Sequence, residues 1–369
     1  MLKCKRPNLG FGLMRLPVLG EKLSDINMNH FTEMVDIYLN EGIGYFDTSL
    51  SYHSGYSEIA LKKAVSMRFS RNKYLLADKI SIRNIKKEEE LEQIFKMQLR
   101  KTGVDYFDNY LIHALNGDLY KKCLNLKVFE FLNKLKKEGK VKNIGFSYHG
   151  SFTDYTDILD NNKVDFVQLQ INYYDFEENE ARKFYNYAYE KNIPIIVMEP
   201  IRGGTLTNIP LKVEDELCKN NLTISYASLA LRYVLSLPGV ITVLSGMSHV
   251  DQIIENIAIV KNQYDITDKE KNAIKIIVRY LKSIPTTRCT NCRYCYKCPV
   301  DIPIYEIFNS YNKYCMNKNK IDDVNIKIIY SAIDRCISCG HCSEVCPQNI
   351  NIQKVFNSIR SNQIKSNLY

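Results

Sequence analysis

Short apolar segments that do not alternate with polar residues recur along the first 260 residues, each separated from the next by an amphipathic stretch. A strand that is apolar on both faces must be covered on both faces, and helices running between successive strands do this for a parallel sheet. The strand-like segments are residues 8–17, 42–46, 73–79, 107–113, 141–147, 165–170, 193–198 and 240–244. Between them apolar residues fall at helical spacing. Leu91, Ile94, Phe95 and Leu99 share one face, Val128, Phe131, Leu132 and Leu135 another, and 31–40, 59–65, 155–159, 181–190, 226–237 and 250–260 behave alike. About eight such units predict a closed (β/α)8 TIM barrel of roughly 250 residues. A doubly wound open sheet is the alternative, but no G-x-G-x-x-G follows the first strand.

The 369 residues exceed one such barrel, and the remainder has a different composition. Residues 1–262 are assigned to the barrel and 263–285 to a charged linker with a helix over 268–281. Residues 286–350 form a cysteine-dense, proline-punctuated small α+β domain, and 351–369 a polar tail, helical near 355–359. The first residues contain no apolar core of a signal peptide, and the longest apolar run, 193–198, is too short to span a bilayer. The expectation is a soluble, cytoplasmic protein with neither membrane nor nucleic-acid partner. The formal charge of +9 is scattered along helix faces, as in Lys134-Leu135-Lys136-Lys137-Glu138, with no basic stripe.

Polar residues stand at successive strand ends. Asp47, Lys79 and His113 are each about one repeat apart, and Tyr52 lies on the loop after Asp47. Residues at the C-terminal ends of barrel strands meet at one mouth. A phenol has an ordinary pKa of about 10. An ammonium beside it lowers that value, and a carboxylate holds the ammonium in place. This set suits protonation of a carbonyl oxygen during hydride transfer, with Tyr52 as acid, Lys79 and Asp47 as its support, and His113 orienting the substrate oxygen. Each residue also has a bland role: a helix cap, a structural ion pair, a core histidine.

With these residues in place, residues 1–260 resemble the aldo-keto reductase family. Asp47-Thr48-Ser49-(x)2-Tyr52-(x)2-Gly55-(x)1-Ser57-Glu58 is similar to its signature, and Lys79 and His113 correspond by strand and spacing. The resemblance implies NAD(P)H across the barrel mouth, with Ser147 and Gln168 at the carboxamide. Ser245, Gly246 and Met247 then lie at the pyrophosphate, Gln252, Glu255 and Asn256 toward the adenosine end, and Met198 and Arg202 on the seventh strand and its loop. There are departures. Met198 stands where many members stack an aromatic ring, and Tyr148 where an asparagine commonly follows the serine. Gly246 and Gln252 replace the basic residues that bind a 2′-phosphate, which points toward NADH. Tyr148, His149, Tyr173 and Tyr174 suggest an aromatic-lined pocket for a small carbonyl substrate.

Nine of the twelve cysteines crowd into residues 289–346, and all but Cys315 fall into two closely spaced runs. Cys336-(x)2-Cys339-(x)2-Cys342-(x)3-Cys346-Pro347 is the bacterial ferredoxin run, whose fourth cysteine serves the other cluster. Cys289-(x)2-Cys292-(x)2-Cys295-(x)2-Cys298-Pro299 is its partner. Two 4Fe-4S clusters are therefore expected, one on Cys289, Cys292, Cys295 and Cys346, the other on Cys336, Cys339, Cys342 and Cys298. Each would bring about −2, leaving a net charge of about +5. Zinc is the alternative, since C-x2-C pairs also build tetrahedral sites. The paired segments resemble a two-cluster ferredoxin domain, and a barrel followed by one resembles a bacterial subgroup of aldo-keto reductase-like proteins.

Three functions remain open. One is an NAD(P)H-dependent carbonyl reductase, or alcohol dehydrogenase in reverse. Another is a ferredoxin-linked reductase whose clusters feed one-electron equivalents to the barrel, with a ferredoxin or flavodoxin as redox partner. The third is a non-enzymatic electron-transfer subunit, against which the complete Asp47, Tyr52, Lys79 and His113 set argues.

Overall fold

A computed structural model describes residues 8–20, 22–178, 180–219, 224–262, 265–316 and 323–361. Eight parallel strands close on themselves in sequence order, β1 also pairing with β8. In chain order the first half runs β1 (Asn8–Gly12), α1 (Met28–Asn40), β2 (Tyr45–Asp47), α2 (Ser57–Leu61), β3 (Leu75–Ile80), α3 (Glu89–Thr102) and β4 (Phe107–Leu115). It continues with α4 (Gly117–Asn125), α5 (Val128–Lys137), β5 (Val141–Tyr148), α6 (Phe152–Asn161) and β6 (Phe166–Gln170). Then come α7 (Tyr173–Glu178), α8 (Ala181–Glu190), β7 (Ile195–Met198), α9 (Leu211–Lys219), α10 (Tyr226–Leu235), β8 (Val240–Ser245) and α11 (Val250–Lys261).

The unalternating strands have the two-sided burial expected of them. Tyr45, Ala77, Leu111, Phe166, Ile196 and Leu244 fill the barrel interior, while neighbours such as Phe46, Leu76, Tyr110 and Val167 pack outward with the helices. Helix ends follow local chemistry. Asn27 caps α1 by accepting from His30 N, and Gly103, at φ +70, ends α3 in the left-handed conformation.

The chain divides into two compact units. The first holds residues 1–200 and 228–266, and the second holds residues 201–227 and 267–369. The second passage between units falls at residues 266 and 267, and the excursion of 201–227 carries no compositional mark.

In the second unit, α12 (Asp268–Lys282) opens on a capping box of Thr267 and Glu270. It is followed by α13 (Ile304–Met316), α14 (Asp323–Asp334), α15 (His341–Glu344) and α16 (Ile352–Ser361). The expected α+β character meets a correction here: the described residues of 286–361 form helices and turns, with no strand among them. The apolar positions have helical spacing, and Ile304, Ile307, Phe308, Ile333, Phe356 and Ile359 make the core. Gly203, at φ +62, sits so close to the cysteine loop that a Cβ would stand 2.1 Å from the Thr290 carbonyl oxygen. No described helix is long and apolar enough to cross a membrane.

Candidate functional site

The four residues predicted to act together do converge. Asp47 ends β2, Lys79 lies near the end of β3 and His113 near the end of β4, so consecutive strands deliver them to one rim. Lys79 is fully buried, and its Nζ donates to Asp47 Oδ1, to the Thr48 carbonyl at 2.9 Å and to the Tyr52 hydroxyl at 3.2 Å. Burial pushes the Asp47 carboxyl above its ordinary range, and the Lys79 charge opposes that push. The Tyr52 and His113 rings meet edge-on, with centroids 5.8 Å apart.

Burial, then the Lys79 charge, with His149 and Arg83 adding to it, pushes the His113 imidazole well below its usual range. It is therefore neutral. Ser49 Oγ lies 3.0 Å from His113 Nδ1, a partner that the sequence showed only as part of a motif.

Tyr52 is held out by a strained turn. His53, Ser54 and Gly55 have φ of 50°, 54° and 91°, all left-handed. The cost of such backbone is of the order of 1–3 kcal/mol per residue and persists only where the surroundings enforce it. His53 supplies that enforcement: its Nε2 accepts from Leu16 N at 3.0 Å, and its Nδ1 donates to the Leu23 carbonyl at 2.8 Å.

The predicted cofactor residues occupy the same end of strands β5 to β8. Ser147 Oγ accepts from Ala114 N at 2.7 Å. Gln168 Nε2 lies 3.6 Å from Met198 Sδ, and Gln168 Oε1 is buried with no partner among the described residues. Asn256 Nδ2 donates to Ser245 Oγ at 3.0 Å, and Gln252 Oε1 accepts from Ser248 N at 2.8 Å at the start of α11. Glu255 is half-buried on the same helix. Arg202 is buried in the second unit, in the turn Arg202–Thr207.

Arg15 was missed by sequence reasoning. Its side chain covers Gly246, where a Cβ would stand 3.0 Å from Arg15 Cδ, and its Nη2 lies 3.4 Å from Glu199 Oε1. Tyr148, expected to line an aromatic pocket, belongs to the buried core. Tyr148 packs against Phe146, Tyr155 and Phe184, and its hydroxyl donates to the Ser151 carbonyl.

Cys289, Cys292, Cys295 and Cys346 line one cavity together with Ile304, Tyr305, Phe308 and Ile350. This is the first ligand set read from spacing. Burial, then the Cys289 and Cys346 sulfurs, pushes the Cys295 thiol up to about 12, a tendency that bound iron would reverse. Among the described residues no three His, Cys, Asp or Glu side chains converge closely enough to hold a single metal ion.

The second loop repeats the backbone of the first. Asn291 and Arg293 flank Cys292 with φ of 54° and 65°, and Ser338 and Gly340 flank Cys339 with φ of 57° and 79°. Two loops of equal spacing and matching left-handed residues wrap alike. Cys336 and Cys342 both pack against the apolar core of this unit. The place of Cys298 in their set rests on spacing.

The pattern of the aldo/keto reductase family matches residues 8–279, and that of the 4Fe-4S dicluster domain matches residues 285–350. The uncharacterized oxidoreductase YqkF of Bacillus subtilis is 24% identical over 277 residues, covering 67% of this chain and 87% of that protein. The holo form of aldo-keto reductase AKR11C1 from Bacillus halodurans superimposes with a TM-score of 0.60 at 23% identity, over 73% of this chain and 91% of that one. An aldo-keto reductase from Klebsiella pneumoniae in complex with NADPH gives 0.58 at 16%, over 74% and 91%. The chain belongs to the aldo/keto reductase family and carries a C-terminal 4Fe-4S dicluster domain.

Proposed function

We propose that the barrel reduces an aldehyde or ketone with a nicotinamide cofactor, or oxidises the corresponding alcohol in reverse, with Tyr52 as general acid and base. The observation that carries this reading is the buried Lys79 ammonium held between the Asp47 carboxylate and the Tyr52 hydroxyl. Bound nicotinamide supplies the hydride. The Tyr52 O–H supplies the proton to the carbonyl oxygen, and Lys79 stabilises the phenolate left behind. Asp47 keeps the ammonium in place and balances its charge. His113 is neutral, and in the tautomer whose Nδ1 accepts from the Ser49 hydroxyl its Nε2–H is the donor that orients the substrate oxygen.

Residues present on the rim fit the cofactor. The orphaned Gln168 Oε1 would accept from a carboxamide NH2, and Ser147 on β5 and Met198 on β7 flank it as the residues that would help hold that group. Ser245, Gly246, Gln252, Glu255 and Asn256 sit at the β8–α11 turn, where a helix N-terminus suits phosphate. Arg15, the cation found at this turn, lies within ion-pair distance of Glu199, which agrees with a preference for NADH.

The two matching cysteine loops support two 4Fe-4S clusters that exchange single electrons with a small redox protein. In the protein purified anaerobically with its clusters, NADH loss should depend on added aldehyde or ketone. Turnover driven by dithionite or reduced ferredoxin but not by NADH would instead favour the ferredoxin-linked reading.

The crossed ligand sets predict a pattern in iron content. Cys346→Ser should remove about half of the iron, and adding Cys292→Ser should remove little more, because both serve one cluster. Cys346→Ser with Cys339→Ser should remove nearly all. Equal losses for the two double variants would refute the assignment.

A further inference from the structure

Asp78 precedes Lys79 on β3, and successive strand residues point to opposite faces. Its side chain is therefore directed away from the mouth, and both it and Glu58 of α2 are wholly buried. We propose that Glu58 and Asp78 hold one proton between them, and that this carboxyl pair is a positioning device for Lys79.

Both carboxyl groups are tied to the Lys79 backbone, Asp78 directly and Glu58 through Gln98. Ionised carboxylates only accept, so each of these buried oxygens needs either a donor or a proton of its own. The donors around them are otherwise committed. Gln98 Nε2 donates to Glu58 Oε1 at 3.1 Å, and Lys79 N donates to Asp78 Oδ1 at 2.8 Å. Asp78 Oδ2 has no donor among the described residues.

Charge leads to the same count. Lys101 of α3 lies 3.0 Å from Glu58 Oε2, one cation for two carboxyls, while the Lys79 ammonium is turned to Asp47. Tyr110 of β4 faces the pair with a phenol that burial and both carboxyls push well up, so it stays a neutral donor to Gln98 Oε1 at 2.6 Å. Burial, then Glu58, likewise raises the Asp78 carboxyl well above its ordinary range.

The network grips Lys79 by its backbone. Asp78 Oδ1 accepts its N–H, and Gln98, bonded to Glu58, donates at 3.0 Å to its carbonyl. Loss of the shared proton would put two charges face to face beneath the residue that holds Tyr52. The positioning role rests on the function proposed above for Lys79; the proton itself does not.

Two measurements on the full chain test the proton, and a third tests the positioning. The infrared difference spectrum between wild type and Asp78→Asn should contain the carbonyl band of a protonated carboxylic acid at neutral pH. Should Asp78→Asn fold poorly, Glu58→Gln should remove the same band, because its amide can donate to an ionised Asp78. Linkage fixes the second sign. A folded-state pKa raised above the unfolded one adds stability that is lost as pH rises toward the folded value. Over that window the wild-type unfolding constant should rise about tenfold more per pH unit than that of Asp78→Asn. No band difference together with parallel slopes would overturn the shared proton. With the proton established, the alkaline loss of kcat should move to higher pH in Asp78→Asn, and an unmoved profile would overturn the positioning role.

Discussion

Replacing Tyr52 by phenylalanine should lower kcat for carbonyl reduction by about 10²–10⁴-fold while leaving nicotinamide affinity nearly unchanged. The variant removes one oxygen and keeps the ring that meets His113 edge-on, so the loss reports the proton rather than the packing. Lys79 would keep Asp47 and the Thr48 carbonyl as partners, which limits any structural cost. The pH profile separates Tyr52 from the other candidate acid. His113 stays neutral well below its ordinary range, so kcat should show no inflection near the imidazole value of about 6.5. A variant that retained turnover, or an imidazole step in the wild-type profile, would transfer the proton to His113.

Lys79→Met should be the most damaging single change to stability, costing about 3–5 kcal/mol in urea unfolding. Much of this is the penalty of leaving Asp47 buried without its counter-ion rather than the net value of the pair. Adding Asp47→Asn should therefore recover a large part of the stability and none of the activity. A double variant no more stable than Lys79→Met would show that the cost lies in lost packing of the lysine stem.

The barrel was legible because its strands are apolar on both faces, a pattern with few physical solutions. The rim was legible for a related reason. Asp47, Lys79 and His113 are the polar exceptions at the ends of apolar runs, and a parallel barrel places all strand ends together. Partners contributed from afar left no such trace. Arg15 reaches Glu199 across 184 positions, and nothing in the order of residues marks Glu58 and Asp78 as buried near the same Lys79 backbone.

Helix α4 was overlooked because it is short and polar, although Asn116, which accepts from Leu119 N, is a recognisable cap. In the cysteine-rich part the spacing of thiols marked two matching loops but not what connects them. The intervening residues fold as helices about an apolar core of their own.

The excursion of residues 201–227 into the second unit has a consequence during synthesis. Gly203 packs beneath the carbonyl of Thr290, a residue that leaves the ribosome nearly ninety positions later. At translation rates of about 5–20 residues per second, that interval lasts several seconds. Strand β8 is made within it, so the sheet can close while this segment still waits for its partners. A nascent chain therefore carries an unmatched stretch between two finished strands until the loop that contains Thr290 arrives to cover it.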